Sequence, residues 1–306
     1  MMSGKKILVT GATGQVAGPI AWELAKTNEV WALGRFGDPQ SAAGLEARGI
    51  KTHRWDMGAE PIAGLADDFT HVLHAAYLRD TNDFEAAMHV NTVGTGMLMS
   101  HCRNAEAFLF LSGFAVYKLL GNDHHYAETD PLGGETDWMP PYGPSKLATE
   151  GVVRAFAEVL GLPSVIARLN TSYGPSGHGG VPVRFYRLML AGETIAVPKG
   201  GEVNLQSPIH TDDMARQLPL LWDRASTTPL IVNWAGDQAV SVNDMMTCVS
   251  ELTGVPVKFE PSDVIRQGFA SDNTLRKSLI GDCSVPLRQG LAQTLEAMFP
   301  GSLKNA

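Results

Sequence analysis

The chain is poor in cysteine: it has three in 306 residues, Cys102, Cys248 and Cys283, odd in number and far apart. That excludes a disulfide framework and a cysteine-based metal site, and it predicts reduced thiols in a cytoplasmic protein. Long apolar runs are missing as well. Ile7-Leu8-Val9 near the N-terminus is too short for a signal sequence and runs straight into glycines. No segment approaches the roughly 18 apolar residues of a membrane span. Positive charge is in deficit, with 24 Lys and Arg against 32 Asp and Glu and a net charge of -8. Neither nucleic acid nor an anionic membrane is therefore expected as a partner. Internal repeats and low-complexity tracts are absent too. A hydrophobic content of 44% and a charged content of 18% suit a soluble globular chain.

What is there is a regular alternation. Short apolar runs at Lys6–Thr10, Glu29–Leu33, Gly49–Trp55, His71–Ala76, Ala107–Leu111 and Ser164–Arg168 read as buried parallel strands. Segments of helical spacing separate them, among them Phe84–Cys102 and the stretch opened by Tyr142. This order predicts an α/β fold: a Rossmann-type doubly wound parallel sheet with right-handed crossovers. Residues 1–175 are expected to form the dinucleotide-binding domain, joined by a strand near 229–235. After Gly174-Pro175 the rhythm changes, and residues 176–306 are expected to form a smaller, mixed substrate lobe.

The first strand leads into Gly11-Ala12-Thr13-Gly14-Gln15-Val16-Ala17-Gly18 and then into a helical pattern. A glycine turn between strand and helix lets the backbone approach a pyrophosphate at the helix N-terminus, where free N–H groups and the dipole favour anions. An acidic residue ending the second strand would bond a ribose 2'-hydroxyl and repel a 2'-phosphate. The chain has Gly34-Arg35 there, with no carboxylate until Asp38. The expectation is NADP(H) over NAD(H), with Arg35 carrying the preference. An Arg35 merely stacked on adenine would tolerate both.

Pro140 and Pro141 end the preceding segment, and Tyr142 opens a helix on which Lys146 lies one turn later on the same face. A neighbouring ammonium favours a phenolate and lowers the phenol pKa from its usual ~10, which suits proton exchange with an alcohol oxygen. A lone pair at this spacing is far more often a surface Tyr beside a solvated Lys; its place in an ordered dinucleotide-binding chain makes it a catalytic candidate. The long 119–141 stretch reads as a loop beside a site. With Phe114 and Tyr117, its Trp138 and Met139 suggest a partly apolar substrate. No carboxylate or cysteine stands at ligand spacing from His124, His125 or His178, so no metal is expected.

The glycine turn, Asp56, His74-Ala75-Ala76, Asn91, Ser112, Tyr142-Gly143-Pro144-Ser145-Lys146 and Arg168…Tyr173-Gly174-Pro175 follow in order. Together they resemble the extended short-chain dehydrogenases/reductases, and more narrowly the NAD-dependent epimerase/dehydratase group. Ile209-His210-Thr211-Asp212-Asp213-Met214-Ala215 is similar to that group's FIHVDDVA stretch. The resemblance implies that Gly11, Thr13, Gly14, Gln15 and Val16 contact the pyrophosphate, and Asp56 and Met57 the adenine. It implies that Ala75 and Ala76 line the ribose side, that Asn91 fixes the strand ends, and that Leu169 and Asn170 lie against the nicotinamide. Tyr142 would be the acid/base, with Lys146 bonding the ribose. The helices of Phe84–Cys102 and Tyr142–Leu160 would form a homodimer contact.

Three departures qualify the resemblance. Where the family places an assisting Ser or Thr, this chain has Gly113, with Ser112 one position earlier; Ser112 is the expected substitute. Nucleotide-sugar enzymes of the family usually carry an Asn and an Arg where this chain has Thr171 and Gln206. A diphosphate suits an arginine clamp, so the substrate is expected not to be a nucleotide-sugar. Arg79, Gly113, Phe114 and Thr171 are the candidate substrate contacts. The leading expectation is hydride transfer between the nicotinamide and a carbonyl or secondary alcohol. The alternatives are a redox-neutral sugar epimerase or dehydratase holding its cofactor tightly, and a non-catalytic redox sensor.

Overall fold

The computed structural model describes residues 2–79, 81–134, 139–265 and 267–304; Trp138 lies outside them. Seven strands form one sheet: β1 (Lys6–Thr10), β2 (Glu29–Gly34), β3 (Lys51–Arg54), β4 (His71–His74), β5 (Ala107–Gly113), β6 (Ser164–Leu169) and β7 (Leu230–Trp234). Their spatial order is β7-β6-β5-β4-β1-β2-β3. β1 pairs parallel with both β2 and β4, β2 with β3, and β4 with β5. The fold is the expected Rossmann-type α/β sheet, with Leu230–Trp234 at one edge and Lys51–Arg54 at the other.

The inner strands are apolar because both of their faces are buried, whereas the edge strand β3, Lys51-Thr52-His53-Arg54, is polar and partly exposed. Ile7, Leu8 and Val9 are wholly buried, and every residue of β5 is buried. Side chains such as Leu8, Phe108, Phe110 and Ile166 share one core with Leu98, Met99, Val153 and Ala157. These last four come from helices α3 (Phe84–His101) and α4 (Tyr142–Leu160). Each of these side chains larger than alanine contributes about 1.5–3 kcal/mol by leaving water. Between β1 and β2 runs α1 (Ala17–Ala25), and after β2 comes α2 (Pro39–Glu46). Asp38 caps α2 by accepting from the Gln40 amide, so this carboxylate is committed to the helix.

The chain orders around β1. β2 and β3 lie on one side of it and β4 to β7 on the other, so successive connections leave in opposite directions. In open α/β sheets ligands bind beyond the carboxyl ends of the strands at such a reversal. The glycine turn after β1 and Ala75-Ala76 after β4 are the two segments there.

Two compact units divide the chain: Met1–Lys118 with Glu128–Arg168 and Ala215–Val232, and Leu119–Ala127 with Leu169–Met214 and Asn233–Ala306. The second has its own core, in which Tyr186, Met189, Val242, Met246, Leu291 and Leu295 pack together. Those residues come from α5 (Val181–Leu190), α7 (Val242–Thr253) and α9 (Leu287–Met298), between which α6 (Thr211–Trp222) and α8 (Thr274–Ile280) fall in chain order. Ser241 caps α7 by accepting from the Asp244 amide. α6 opens at Thr211, so Asp212 and Asp213 stand in its first turn, where negative charge complements the helix dipole.

Candidate active site and dinucleotide cradle

Gly11 begins the turn after β1 with φ of +74°, a conformation that favours glycine. A β-carbon there would lie 2.9 Å from the Ala76 nitrogen and 3.0 Å from the Ala75 carbonyl carbon. The two strand ends can touch only because Gly11 has no side chain. The Gly14 amide then donates to the Gly11 carbonyl at 2.9 Å, the Gly18 amide to Gly14 at 3.0 Å, and Val16 leads into α1. Gln15 is buried in the same turn.

Beneath the turn, hydrogen bonds of fixed direction tie the strand ends to α3. The Thr10 hydroxyl accepts the amides of Ala75 and Ala76 at 3.1 and 2.9 Å. Its own proton then goes to Nδ1 of His74, 2.8 Å away. That leaves the imidazole with its proton on Nε2, which donates to Thr95 at 2.8 Å. Thr95 donates onward to the Asn91 carbonyl at 2.6 Å. The Asn91 side chain accepts the Leu78 amide and donates to the Leu78 carbonyl, at 2.8 and 3.1 Å. Thr10, His74, Asn91 and Thr95 are all wholly buried. Burial, with the nearby Lys146 charge, pushes the His74 pKa down to about 3, so the ring stays neutral.

A cavity of about 280 Å³ opens in front of these strand ends, lined by Gly11, Thr13, Arg35, Asp56, Met57 and Ala76 among others. Leu33, Phe36 and Trp55 give one end an apolar wall, and Tyr77 and Leu78 line it after β4. Gly11 and Thr13 at one end of this lining and Asp56 and Met57 at the other are the residues that could hold a dinucleotide.

Tyr142 is the first residue of α4, and its amide donates to the Met139 carbonyl at 2.9 Å. The helix start lies tight against the protein: a β-carbon on Gly143 would sit 2.0 Å from the Gly134 carbonyl oxygen and 2.6 Å from that of Ala115. One turn on, Lys146 is 4% exposed, and its amine donates to the Leu111 carbonyl at 2.6 Å. The ammonium also stands 3.7 Å from the centre of the Tyr77 ring. Burial pulls its pKa down to about 7, while the Glu150 charge acts in the opposite direction.

A further turn along the same face, Glu150 is 1% exposed and paired with Arg168. The guanidinium forms a two-pronged contact, Nε to Oε1 at 3.0 Å and Nη2 to Oε2 at 2.9 Å. Removing one member of such a buried pair typically costs about 3–5 kcal/mol, because the other charge is left uncompensated. The Ser112 hydroxyl donates to Glu150 Oε1 at 2.6 Å and is 3% exposed. Its single proton is thus directed at the ion pair. Gly113 is buried with extended backbone, and Phe114 is buried with its ring against Tyr117. Arg79 is exposed one residue beyond Leu78.

Leu169, Asn170 and Thr171 belong to the second unit. Asn170 accepts the amides of Thr171 and Ser207 at 2.8 and 3.0 Å and donates to the Phe269 carbonyl. The Thr171 hydroxyl donates to Gln206 Oε1 at 3.0 Å, and Gln206 donates to the Gln267 carbonyl at 2.6 Å. The two positions at which the chain departs from nucleotide-sugar enzymes are therefore each other's partners. Among the described residues no group of three or more His, Cys, Asp or Glu could hold a metal, and no helix is long and apolar enough to cross a membrane.

Residues 7–233 match the NAD dependent epimerase/dehydratase family. The chain belongs to that family. Over 84% of its length it is 26% identical to dTDP-L-rhamnose 4-epimerase of Burkholderia thailandensis, covering 83% of that protein. Among solved structures it is similar to MoeE5 in complex with UDP-glucose and NAD, at 27% identity and a TM-score of 0.76. That match covers 96% of this chain and 98% of the other. UDP-glucuronic acid 4-epimerase from Bacillus cereus, solved with UDP-glucuronic acid and NAD, shares the fold at 20% identity and a TM-score of 0.81, over 96% and 98% of the two chains.

These findings correct two expectations. NADP(H) is overturned, because the solved family members carry NAD. The physical reason lies in the cavity: the Arg35 guanidinium shares it with the Asp56 carboxylate and the Phe36 and Trp55 rings, so a 2'-phosphate would meet a negative charge as well as a positive one. The exclusion of a nucleotide-sugar is overturned as well, since the family members named above act on or bind dTDP- and UDP-sugars. Gln206 is 2% exposed and bonded to Thr171, so the two positions that read as losses at a diphosphate site are one internal pair.

Sequence reasoning gave no role to Thr10, His74, Thr95, Tyr77 or Glu150. Glu150 had a usable signal, since Tyr142, Lys146 and Glu150 fall at steps of four on one helical face. The others depend on contacts between distant segments. The neutral His74 also sets a pH dependence. Its folded pKa lies below the unfolded value of ~6.5, so its contribution is complete above that value and is lost as the pH falls toward 3. We expect wild-type stability to fall more steeply than that of His74→Gln between pH 6 and 4, by about 1.4 kcal/mol per pH unit. Chemical denaturation across this range checks it; parallel curves would be the contrary result.

Proposed function

We propose that this protein binds NAD and carries out a redox-neutral epimerisation or dehydration of a nucleoside-diphosphate sugar. The observation that carries the reading is the Tyr142–Lys146 pair, one turn apart beside strand ends that contain a glycine cradle. Family membership and the sugar-nucleotide relatives support the substrate class.

Bound NAD supplies a hydride acceptor that returns what it takes within one turnover. The protein's own task is then proton movement and orientation. Tyr142 takes the proton of a sugar hydroxyl during oxidation and gives it back during reduction. Lys146, held by the Leu111 carbonyl, places positive charge one turn from the phenol and favours its ionised form. Thr10, His74 and Asn91 fix the Ala75–Leu78 segment against which the cofactor would lie. Ser112 acts through Glu150, holding the carboxylate that faces Lys146 along the helix. Apolar and glycine residues on α3 and α4, including Val93, Gly96, Met97 and Phe156, border a groove with Ile62, which we assign to a homodimer contact.

Protein purified without added cofactor should convert a UDP- or dTDP-sugar with no net change in reduced-nicotinamide absorbance. Tyr142→Phe should lower that turnover by at least about 10²-fold while leaving NAD bound. Stoichiometric consumption of added NADH would sink the redox-neutral reading. For the contact, Val93 is 37% exposed, so Val93→Asp should leave the fold intact and yield a monomer in sedimentation. An unchanged sedimentation coefficient would exclude that surface.

A further inference from the structure

Tyr77, the residue after Ala75-Ala76, touches both members of the candidate pair and has no role in the reading above. Its ring lies 5.6 Å from that of Tyr142 at 87°, an edge-to-face arrangement. The same ring carries the Lys146 ammonium 3.7 Å from its centre, well inside the range of cation–π attraction. The Tyr77 hydroxyl bonds Ser145 at 2.5 Å, and Ser145 donates to the Pro141 carbonyl at 2.6 Å. Tyr77 also lines the dinucleotide cavity. It is thus anchored to the first turn of α4 at its hydroxyl end and packed on Tyr142 and Lys146 through its ring.

The position has a physical logic. A lysine 4% exposed loses most of its hydration, and its ordinary compensation would be a carboxylate. Glu150 lies on the same helix, but both its oxygens are engaged by Arg168 and Ser112. The other groups facing the amine are the Leu111 carbonyl from β5, the Phe110 ring at 4.8 Å, and neutral His74 from β4, with Tyr142 one turn earlier on the same helix. Among them the Tyr77 ring face is a close, uncommitted source of negative potential.

Resting on the reading of Tyr142 and Lys146 as the acid/base pair, we propose that Tyr77 is their positioning residue. Its ring face holds Lys146 in the ammonium form and its packing sets the Tyr142 ring. Through Lys146 it controls the pH at which Tyr142 ionises.

The test needs no substrate. Phenolate absorbance of the wild type minus that of Tyr142→Phe, followed against pH, isolates the Tyr142 transition. Burial raises the pKa of Tyr77 above the ordinary phenol value, which keeps it out of that window. Tyr77→Phe keeps the ring and should leave the Tyr142 midpoint within a few tenths of a pH unit. Replacing that phenylalanine by mono-, di- and trifluorophenylalanine weakens the ring's negative face at nearly constant shape. Each step should move the Tyr142 midpoint upward, by about one pH unit over the series. A merely structural tyrosine predicts no trend with fluorine number, and a flat series overturns the proposal. So does a Tyr77→Phe shift as large as that of the trifluoro variant, which would place the control in the hydroxyl. A wild-type midpoint that is not depressed to begin with overturns the acid/base reading itself, and the proposal falls with it.

Discussion

One hydroxyl holds the dinucleotide end of the sheet together. Thr10 accepts two backbone amides from the segment after β4 and donates to His74, so all of its bonding capacity is used and its direction is fixed. The contact is possible only because Gly11 leaves room for Ala75 and Ala76. From there the bonds run through His74 and Thr95 to Asn91, which clamps Leu78. The strand ends that would face a cofactor are therefore set by side chains that never reach it. Buried polar chains of this kind are stable only when every member is satisfied, and here each proton has one destination.

The same economy governs the charges. Glu150 and Arg168 neutralise one another in the core, and Ser112 supplies a third bond to the carboxylate. Among the described residues Lys146 is held instead by a carbonyl and two aromatic rings. A lysine in that condition has a pKa brought down to about 7. Its charge state, and with it the ionisation of a phenol one turn away, is sensitive to small changes around it. Near-neutral proton transfer asks for that sensitivity.

Much of this was legible in the sequence because it is periodic or local. Apolar runs with glycine turns gave the sheet, and Leu230–Trp234 announced itself as a buried strand although it lies far along the chain. Tyr142 and Lys146 stood out as a candidate pair through helical spacing together with their place after the glycine turn in the ordered α/β chain. What the sequence hid was partnership across distance. Ser112 looked like a substitute for a missing hydroxyl, but its proton is directed at Glu150, 38 residues away. Thr171 and Gln206 looked like two separate losses at a diphosphate site, but they form one internal hydrogen bond. Arg35 looked like a phosphate reader until Asp56 and two aromatic rings joined it in one cavity. The two overturned readings, of Arg35 and of Thr171 with Gln206, came from reading a residue type without the group that faces it.

The central claim is that the switch point of the sheet holds NAD with its reactive end at Tyr142 and Lys146. A crystal structure with NAD tests it most directly. The account predicts adenine in the cavity of Arg35, Asp56 and Met57, and a ribose hydroxyl within hydrogen-bond distance of Tyr142 and Lys146. A dinucleotide bound elsewhere, or a Tyr142 hydroxyl that faces away from it, would contradict the account.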